Sequence, residues 1–142
     1  MTTKWEKTGQ TRALLSKAIE YYMNPENSRK SAPKFVREIK ILSREVDKVT
    51  WEQRSAIMGM RLRSVVKTSL NRAANTFETQ AMSGSGKGTI MTRTLKSIST
   101  GTEVRYTYDM HLPVLGFLVR GRGKKIFEHT VDEDMKALNA LS

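Results

Sequence analysis

Residues 84–89, Gly-Ser-Gly-Lys-Gly-Thr, have the composition of a phosphate-binding loop. Such a loop needs a first glycine, four variable residues, and then Gly-Lys followed by Ser or Thr, so that backbone N–H groups, a lysine and a hydroxyl surround the phosphates and their magnesium ion. Here Ala81 stands where the first glycine is needed, and Gly88 stands where the hydroxyl is needed. A nucleotide site is therefore not expected, and the sequence predicts a flexible loop over residues 83–89.

Few other side chains have the types and spacing that catalysis or metal binding requires. His111 and His129 have no neighbouring group of metal ligands, and the absence of cysteine excludes disulfides and thiol catalysis. The acidic residues 132–134 could bind a divalent cation. The first turn of a helix capped by Thr130 explains them better, because the helix dipole favours negative charge there. We therefore expect no enzymatic activity, no metal and no cofactor.

The strongest compositional feature is a formal net charge of +11 on 142 residues. Such a charge favours contact with a phosphate backbone or an acidic protein surface, although it also keeps a surface well solvated. No apolar run approaches the ~20 residues of a membrane-spanning helix, and the amino terminus has no apolar segment of a secretory signal. The basic side chains that we select as DNA-facing or interface candidates are Arg61, Arg63, Lys67, Arg120, Arg122, Lys124 and Lys125.

Two aromatic residues are further candidates for contact with nucleic acid. Tyr106 and Tyr108 alternate with polar residues, so they share one face of a predicted strand. Rings exposed in this way could stack on bases. Packing of both rings against a helix is the alternative, and the sequence favours it.

The longest uninterrupted helical pattern extends from Trp51 to Met82 and carries three of the basic candidates. At 100° per residue, one face collects Met58, Leu62, Val65, Val66, Ser69, Leu70, Ala73 and Phe77. Arg61 borders this face on one side, and Arg63 and Lys67 lie beyond the other. Basic residues beside an apolar stripe can cover the core with their stems while their charges reach water. The helix is therefore predicted to be a structural centre, not a DNA-reading element.

The remaining patterns predict a single α+β domain. They indicate an arm over residues 1–10, a helical part over 11–82 with shorter helices at 11–23 and 34–49, a strand-rich part over 90–127 with its clearest strand at 102–109, and a closing helix over 130–141. The expected fold has amino-terminal helices and one long central helix packed on a small antiparallel sheet, with a short carboxy-terminal helix.

Two short motifs in the second half of the chain resemble those of tailed-bacteriophage tail-completion or neck (head–tail joining) proteins. The segment Thr92-Arg93-Thr94-Leu95-Lys96-Ser97-Ile98 is similar to a stretch that follows the flexible loop in that family, with Arg93 in place of the family's usual glycine. The segment Pro113-Val114-Leu115-Gly116-Phe117 is similar to its Pro-Leu-Leu-Gly ending. The predicted order of elements also matches the family's layout over residues 51–142.

This resemblance implies a virion structural protein, assembled in the host cytoplasm, that acts in tail completion or head–tail joining as a ring subunit around the DNA channel. The implied partners are like subunits, portal, adaptor or tail-tube proteins, and non-specific DNA; no membrane is implied. In such a ring the basic residues 120–125 could meet the acidic group of the next subunit, which consists of Asp132, Glu133 and Asp134. The alternative function is that of a non-enzymatic, basic nucleic-acid-binding accessory protein.

Overall fold

The computed structural model describes residues 2–57, 59–84, 86–111 and 116–142. In these ranges the chain forms seven strands and three helices. The strands are β1 (Thr2–Thr11), β2 (Val36–Glu45), β3 (Lys48–Ile57), β4 (Met60–Asn71), β5 (Thr76–Gly84), β6 (Ile90–Ile98) and β7 (Gly101–His111). The helices are α1 (Leu15–Tyr22), α2 (Glu26–Ser31) and α3 (Gly116–Ala140). None of the described helices has the length and apolar character that crossing a bilayer demands.

The strands form one antiparallel sheet in the order β1-β7-β6-β5-β4-β3-β2. Strands β2 to β7 follow one another as hairpins, and β1 lies on the far side of β7. The pairing of β1 with β7 is regular from Thr2 opposite His111 to Thr11 opposite Thr102. Because β1 pairs with β7 and also packs against α3, the first strand and the last helix of the chain meet in this part of the sheet.

Helix α3 covers one face of the sheet, which we call the inner face. The main core there contains Phe77, Leu95, Val104 and Tyr106 from the sheet, together with Ala18 and Tyr22 from α1 and Phe127, Val131 and Leu138 from α3. A second cluster contains Val49, Trp51 and Val66, and a third surrounds Met110. The inner face is therefore packed at three places and not continuously, which leaves space between them.

The predicted central helix at 51–82 is wrong, because this stretch forms the rest of β3, all of β4 and most of β5. On β4 the inner face is occupied by alternate residues, so Leu62, Val66 and Leu70 point inward while Val65 points outward. Serine and threonine occupy further inward positions and hide the period of two. The apolar residues that remain happen to fit a helical spacing, and this produced the incorrect prediction.

The predicted helix at 34–49 is also wrong, because residues 36–45 form β2 and residues 48–57 form β3. Val46 lies in the turn between these strands and is 86% exposed, although the helical pattern placed it in an apolar stripe. The predicted arm at 1–10 is almost entirely strand β1. Its sequence looks unstructured because β1 supplies mainly backbone hydrogen bonds, with Trp5 as its large apolar side chain.

The carboxy-terminal part contains more helix than the sequence predicts. The closing helix expected at 130–141 is only the second half of α3, which begins at Gly116, so residues 116–127 are helix and not strand. Thr130 is not a cap, because its Oγ1 donates to the Ile126 carbonyl 2.7 Å away inside the helix. The residues Pro113, Val114 and Leu115 of the second motif lie outside the described residues.

Some local predictions are confirmed. The strand predicted at 102–109 is β7, strand character within 90–98 is β6, and the short helix predicted at 11–23 contains α1. The α+β arrangement built on a long central helix is nevertheless incorrect. The described chain is a seven-stranded antiparallel sheet closed by a carboxy-terminal helix and two short helices.

Candidate ligand-binding cavity

A cavity separates the inner face of the sheet from the helices that cover it. Its volume is about 180 Å³, and it is partly open to solvent. An apolar interior void of roughly 150 Å³ is large enough to bind benzene. The cavity can therefore accommodate an organic molecule with at least one ring.

Strand alternation places the side chains that shape this space. The inward residues that line the cavity are Trp51, Gln53 and Ser55 on β3, and Leu62, Ser64, Val66 and Thr68 on β4. Four of these seven side chains are polar, and serine and threonine are short. A larger apolar residue at Ser64 would fill the space, so the cavity follows directly from the small side chains at the inward positions.

An aromatic wall closes one side of the cavity. The rings of Trp5 and Tyr108 are stacked, with centroids 5.6 Å apart and planes inclined by 15°. The centroid of the Phe127 ring, on α3, lies 5.7 Å from the centroid of the Tyr108 ring. Helix α3 passes close to this stack at Gly123, where an added Cβ would lie 2.7 Å from Trp5 Cη2. The wall thus depends on residues from both ends of the chain.

A buried cation, Arg93, lies in the cavity wall on β6. It is 6% exposed and stands opposite Phe77 on β5 and Tyr106 on β7. Its Nη2 donates to Thr79 Oγ1 over 2.7 Å. The buried Nε–H has no acceptor among the described residues. An unpaired buried donor costs roughly 1–3 kcal/mol, and more when the group is charged.

Two aromatic rings hold the guanidinium of Arg93. Its Cζ lies 4.7 Å from the centroid of the Tyr22 ring and 5.6 Å from that of Phe77. A desolvated cation on an aromatic face is stabilised by about 2 kcal/mol. These contacts place the buried charge of Arg93 beside two aromatic rings.

Behind this part of the cavity lies a buried carboxylate, Asp134, which is 5% exposed. Its Oδ1 accepts a hydrogen bond from Tyr21 at 2.6 Å and a second one from Ser31. Its Oδ2 accepts from Tyr106 at 2.7 Å. Because an ionised carboxylate only accepts, the Tyr106 proton is committed to Asp134 and the Tyr22 hydroxyl donates to Tyr106.

Burial dominates the proton affinities in this cluster. Burial raises the pKa of Asp134, and the three hydroxyl donors and nearby Arg93 act against that increase. Burial and the charge of Asp134 raise the pKa of Tyr21 and Tyr22. The pKa of Tyr106 is raised in the same way, and burial alone raises that of Tyr108 to about 12. The tyrosines are therefore neutral near pH 7.

The described lining has few groups that could transfer protons at neutral pH. It contains no aspartate, glutamate, histidine, lysine or cysteine. Its titratable residues are Tyr22, Tyr108 and Arg93. No group of three potential metal ligands exists among the residues that the structure describes. The described lining therefore offers apolar contacts, hydroxyl and amide groups, and one guanidinium.

The predicted basic candidates lie away from the cavity. Arg61, Arg63 and Lys67 occupy alternate positions of β4 that face outward, opposite the lining residues. Arg63 pairs there with Glu52 at 2.8 Å. Lys124 and Lys125 are exposed on α3. Arg120 and Arg122 belong to the same helix, and their side chains lie outside the described part of the structure.

The three acidic candidates do not form one surface. Asp132 is exposed and pairs with Lys7 of the same chain at 2.9 Å. Glu133 pairs with Lys136 at 3.2 Å. Asp134 points in the opposite direction and is buried, which leaves it unable to contact a neighbouring subunit. Adjacent positions on a helix differ by 100°, and this separates residues that the sequence groups together.

Arg93 and the Asp134 cluster are the important residues that sequence reasoning missed as a site. The sequence of β6 does contain a usable signal. Met91, Arg93 and Leu95 occupy alternate positions, so their side chains point to the same, inner face of the sheet. An arginine in an otherwise apolar inward phase indicates a buried cation with a specific partner. The partners of Asp134 lie 28, 103 and 113 residues away in the sequence, and no local pattern connects them.

Comparison with known proteins identifies the fold. The chain is similar to a START superfamily protein from Mycobacterium smegmatis, with a TM-score of 0.78, 16% identity, and coverage of 98% of this chain and 99% of that one. It is also similar to the ZhuI aromatase/cyclase from Streptomyces sp. R1128, with a TM-score of 0.76, 12% identity, and coverage of 99% and 93%. The protein TTHA0849 from Thermus thermophilus gives a TM-score of 0.73, 17% identity, and coverage of 99% and 95%.

No protein-family model and no curated protein sequence matches the chain. At these low identities the structural similarity establishes the fold alone, which is a helix-grip fold of the START and Bet v 1-like type. This finding corrects the resemblance to phage tail-completion and neck proteins and the virion function drawn from it. The motifs at 92–98 and 113–117 are too short to specify a fold. The partners and the virion location were implied by the resemblance alone, and no described contact tests them.

Proposed function

We propose that this protein binds a small, largely apolar organic molecule in the cavity between the sheet and α3. The observation that carries the proposal is the cavity itself, about 180 Å³ in volume and lined by large apolar and aromatic side chains. Six of these are Trp5, Phe35, Trp51, Leu62, Met110 and Phe127. Concave sites with apolar walls and a few polar groups are the usual form of small-molecule sites.

The apolar walls of the cavity support a binding role. The cavity is partly open to solvent, so its apolar walls can meet water. Removal of apolar surface from water is favourable by roughly 25 cal/mol per Å², and a bound apolar molecule would provide it. A sequence selected for packing alone would replace Ser64 or Ala81 by larger apolar residues. Retention of the space is consistent with a ligand that fills it.

We also propose that the protein binds its ligand without transforming it. The aromatase/cyclases among the similar structures share this fold at low identity, which transfers no activity. The described lining lacks carboxylates, histidine, lysine and cysteine. Its tyrosines have raised pKa values, which weakens them as proton donors near pH 7. Contact and orientation are therefore the roles that these residues support.

The neutral compound 1-naphthylamine, whose fluorescence depends on solvent polarity and whose two fused rings are close to the cavity in size, tests the binding proposal. We expect saturable binding that Ser64→Phe weakens at least tenfold, because the new ring occupies the inward position. Ser69→Phe is the matched control, since Ser69 lies on the outward face of the same strand. Absence of saturable binding to the wild-type protein, or equal weakening by the two substitutions, would contradict the proposal.

A further inference from the structure

We propose that the cavity selects a ligand bearing a carboxylate, and that Arg93 is the residue that binds it. This inference rests on the proposed binding function and adds the chemical class of the ligand. Its basis is a buried cation in the cavity wall that the chain itself leaves incompletely paired.

The hydrogen bonds of Arg93 are incomplete. A guanidinium has five N–H groups. Nη2 donates to Thr79, while the buried Nε–H has no acceptor among the described residues. A buried unpaired donor is rare in proteins and usually marks a strained or functional position. An acceptor on a bound molecule would complete the set.

The charge of Arg93 is also incompletely compensated. Arg93 takes part in none of the ion pairs among the described residues. Asp134 is close enough to Arg93 for the positive charge to act against the increase in the pKa of Asp134. The oxygens of Asp134 nevertheless accept from Tyr21, Ser31 and Tyr106, not from Arg93. A buried cation without a paired anion is unfavourable, and an anionic ligand would relieve this cost.

The surrounding groups favour Arg93 as the donor to the ligand. With Asp134 ionised, the proton of Tyr22 is committed to Tyr106, and that of Tyr106 to Asp134. Thr79 accepts from Arg93 and shares a 2.7 Å hydrogen bond with Thr68. The contacts with Tyr22 and Phe77 are made to aromatic rings, which supply no hydrogen-bond acceptor of the strength of a carboxylate, so the unpaired Nε–H remains available to an acceptor on a ligand.

A carboxylate fits this site better than a phosphate does. A planar guanidinium matches the two oxygens of a carboxylate. A phosphate monoester carries close to two negative charges near neutral pH. Arg93 is the only cationic side chain in the described lining, so it could balance only part of that charge. The walls beyond Arg93 are mainly apolar, which indicates an aromatic or aliphatic carboxylic acid.

The test compares 2-naphthoate with 2-naphthalenemethanol, which keeps the ring system and lacks the charge. Titrations by calorimetry at pH 7 use the wild-type protein and Arg93→Met. We expect the wild-type protein to bind the acid about tenfold or more tightly than the alcohol, because hydrogen bonds to charged groups have this strength. Arg93→Met should abolish the preference, because it removes the cation that distinguishes the acid from the alcohol.

The outcomes separate this inference from the binding proposal. If the wild-type protein binds both compounds equally, the carboxylate inference is overturned and the cavity function stands. If it binds neither compound, both fail. A second measurement on the wild-type protein covers the case in which Arg93→Met does not fold. The Arg93 Nε–H NMR signal should shift when the acid binds and stay in place with the alcohol; an unmoved signal with bound acid would refute the contact.

Discussion

The guanidinium carbon of Arg93 lies 4.7 Å from the centroid of the Tyr22 ring, while the Tyr22 hydroxyl is hydrogen-bonded to Tyr106. One side chain thus connects the cation of the cavity wall to the carboxylate cluster behind it. The ring and the hydroxyl have separate roles, and substitutions can distinguish them.

Tyr22→Phe keeps the ring and removes the hydroxyl. We expect it to lower the free energy of unfolding by about 1 kcal/mol, the value of one hydrogen bond, and to leave carboxylate selectivity unchanged. Tyr22→Leu should cost at least about 1 kcal/mol more, because it also removes the cation–π and aromatic contacts. Urea denaturation measures both. Equal losses in the two variants would show that the ring does not stabilise Arg93.

Asp134→Asn should alter the pH dependence of stability. Burial raises the pKa of Asp134 in the folded protein above its ordinary value of 3.8. The folded state therefore retains the proton that the unfolded chain releases, and the stability contribution of this residue is lost as pH rises through the folded-state pKa. The difference in unfolding free energy, wild type minus Asp134→Asn, should decrease as pH rises above about 4.

Denaturation at a series of pH values from acidic to neutral checks this sign, and Asp132→Asn is the control. Asp132 is exposed and paired with Lys7, so its replacement should cost less than about 1 kcal/mol. A wild-type-minus-Asp134→Asn difference that rises with pH would mean that hydrogen bonding outweighs burial at this carboxyl.

Gly123→Ala should be destabilising although alanine favours helices. Alanine gains about 1 kcal/mol over glycine in a helix. Its Cβ would lie 2.7 Å from Trp5 Cη2 and 3.3 Å from Met110 Cε, and overpacking of this kind costs about 1–3 kcal/mol. Trp5→Phe shortens the opposing ring, so the double variant should be more stable than the sum of the single effects predicts. Strict additivity in a double-mutant cycle would contradict this contact.

Gly101→Ala should be far more harmful than Gly59→Ala. Both glycines have positive φ, +146° at Gly101 and +79° at Gly59. An added Cβ at Gly101 would lie 2.0 Å from the Thr11 carbonyl oxygen, whereas one at Gly59 would meet no atom of the described residues within 4 Å. We expect about 1 kcal/mol for Gly59→Ala from backbone strain, and more than about 3 kcal/mol for Gly101→Ala. Thermal denaturation of both variants provides the comparison.

The sequence predicted a strand correctly where the residues that point to the inner face are apolar. Strand β7 was predictable because Val104, Tyr106 and Tyr108 alternate with polar residues. Strand β4 was not, because its inward phase includes Ser64 and Thr68 at the cavity. A cavity needs small or polar residues at positions that otherwise reveal a strand. The residues that create the site therefore also conceal the fold.

The site itself was less predictable than the fold. In the sequence, Arg93 stood out only as part of the motif at residues 92–98, because an arginine among threonines is normally solvated and attracts no attention as a site. Its partners are brought to it by the tertiary fold, Thr79 from the neighbouring strand β5 and Tyr22 from helix α1. Asp134 appeared in the sequence as one of three acidic residues in a helical turn, and its burial depends on Tyr21 and Ser31 in the first quarter of the chain.

The pairing of β1 with β7 affects how the protein can be made. Trp5 is synthesised well before its strand partner Tyr108, because two helices and five strands of the described chain lie between β1 and β7. The hairpins from β2 to β6 join near neighbours and can form while the chain is still growing. β1 has no strand to pair with until β7 has been synthesised, and contacts between distant residues slow folding. The aromatic wall can therefore assemble only after β7 has been synthesised, because Tyr108 belongs to that strand.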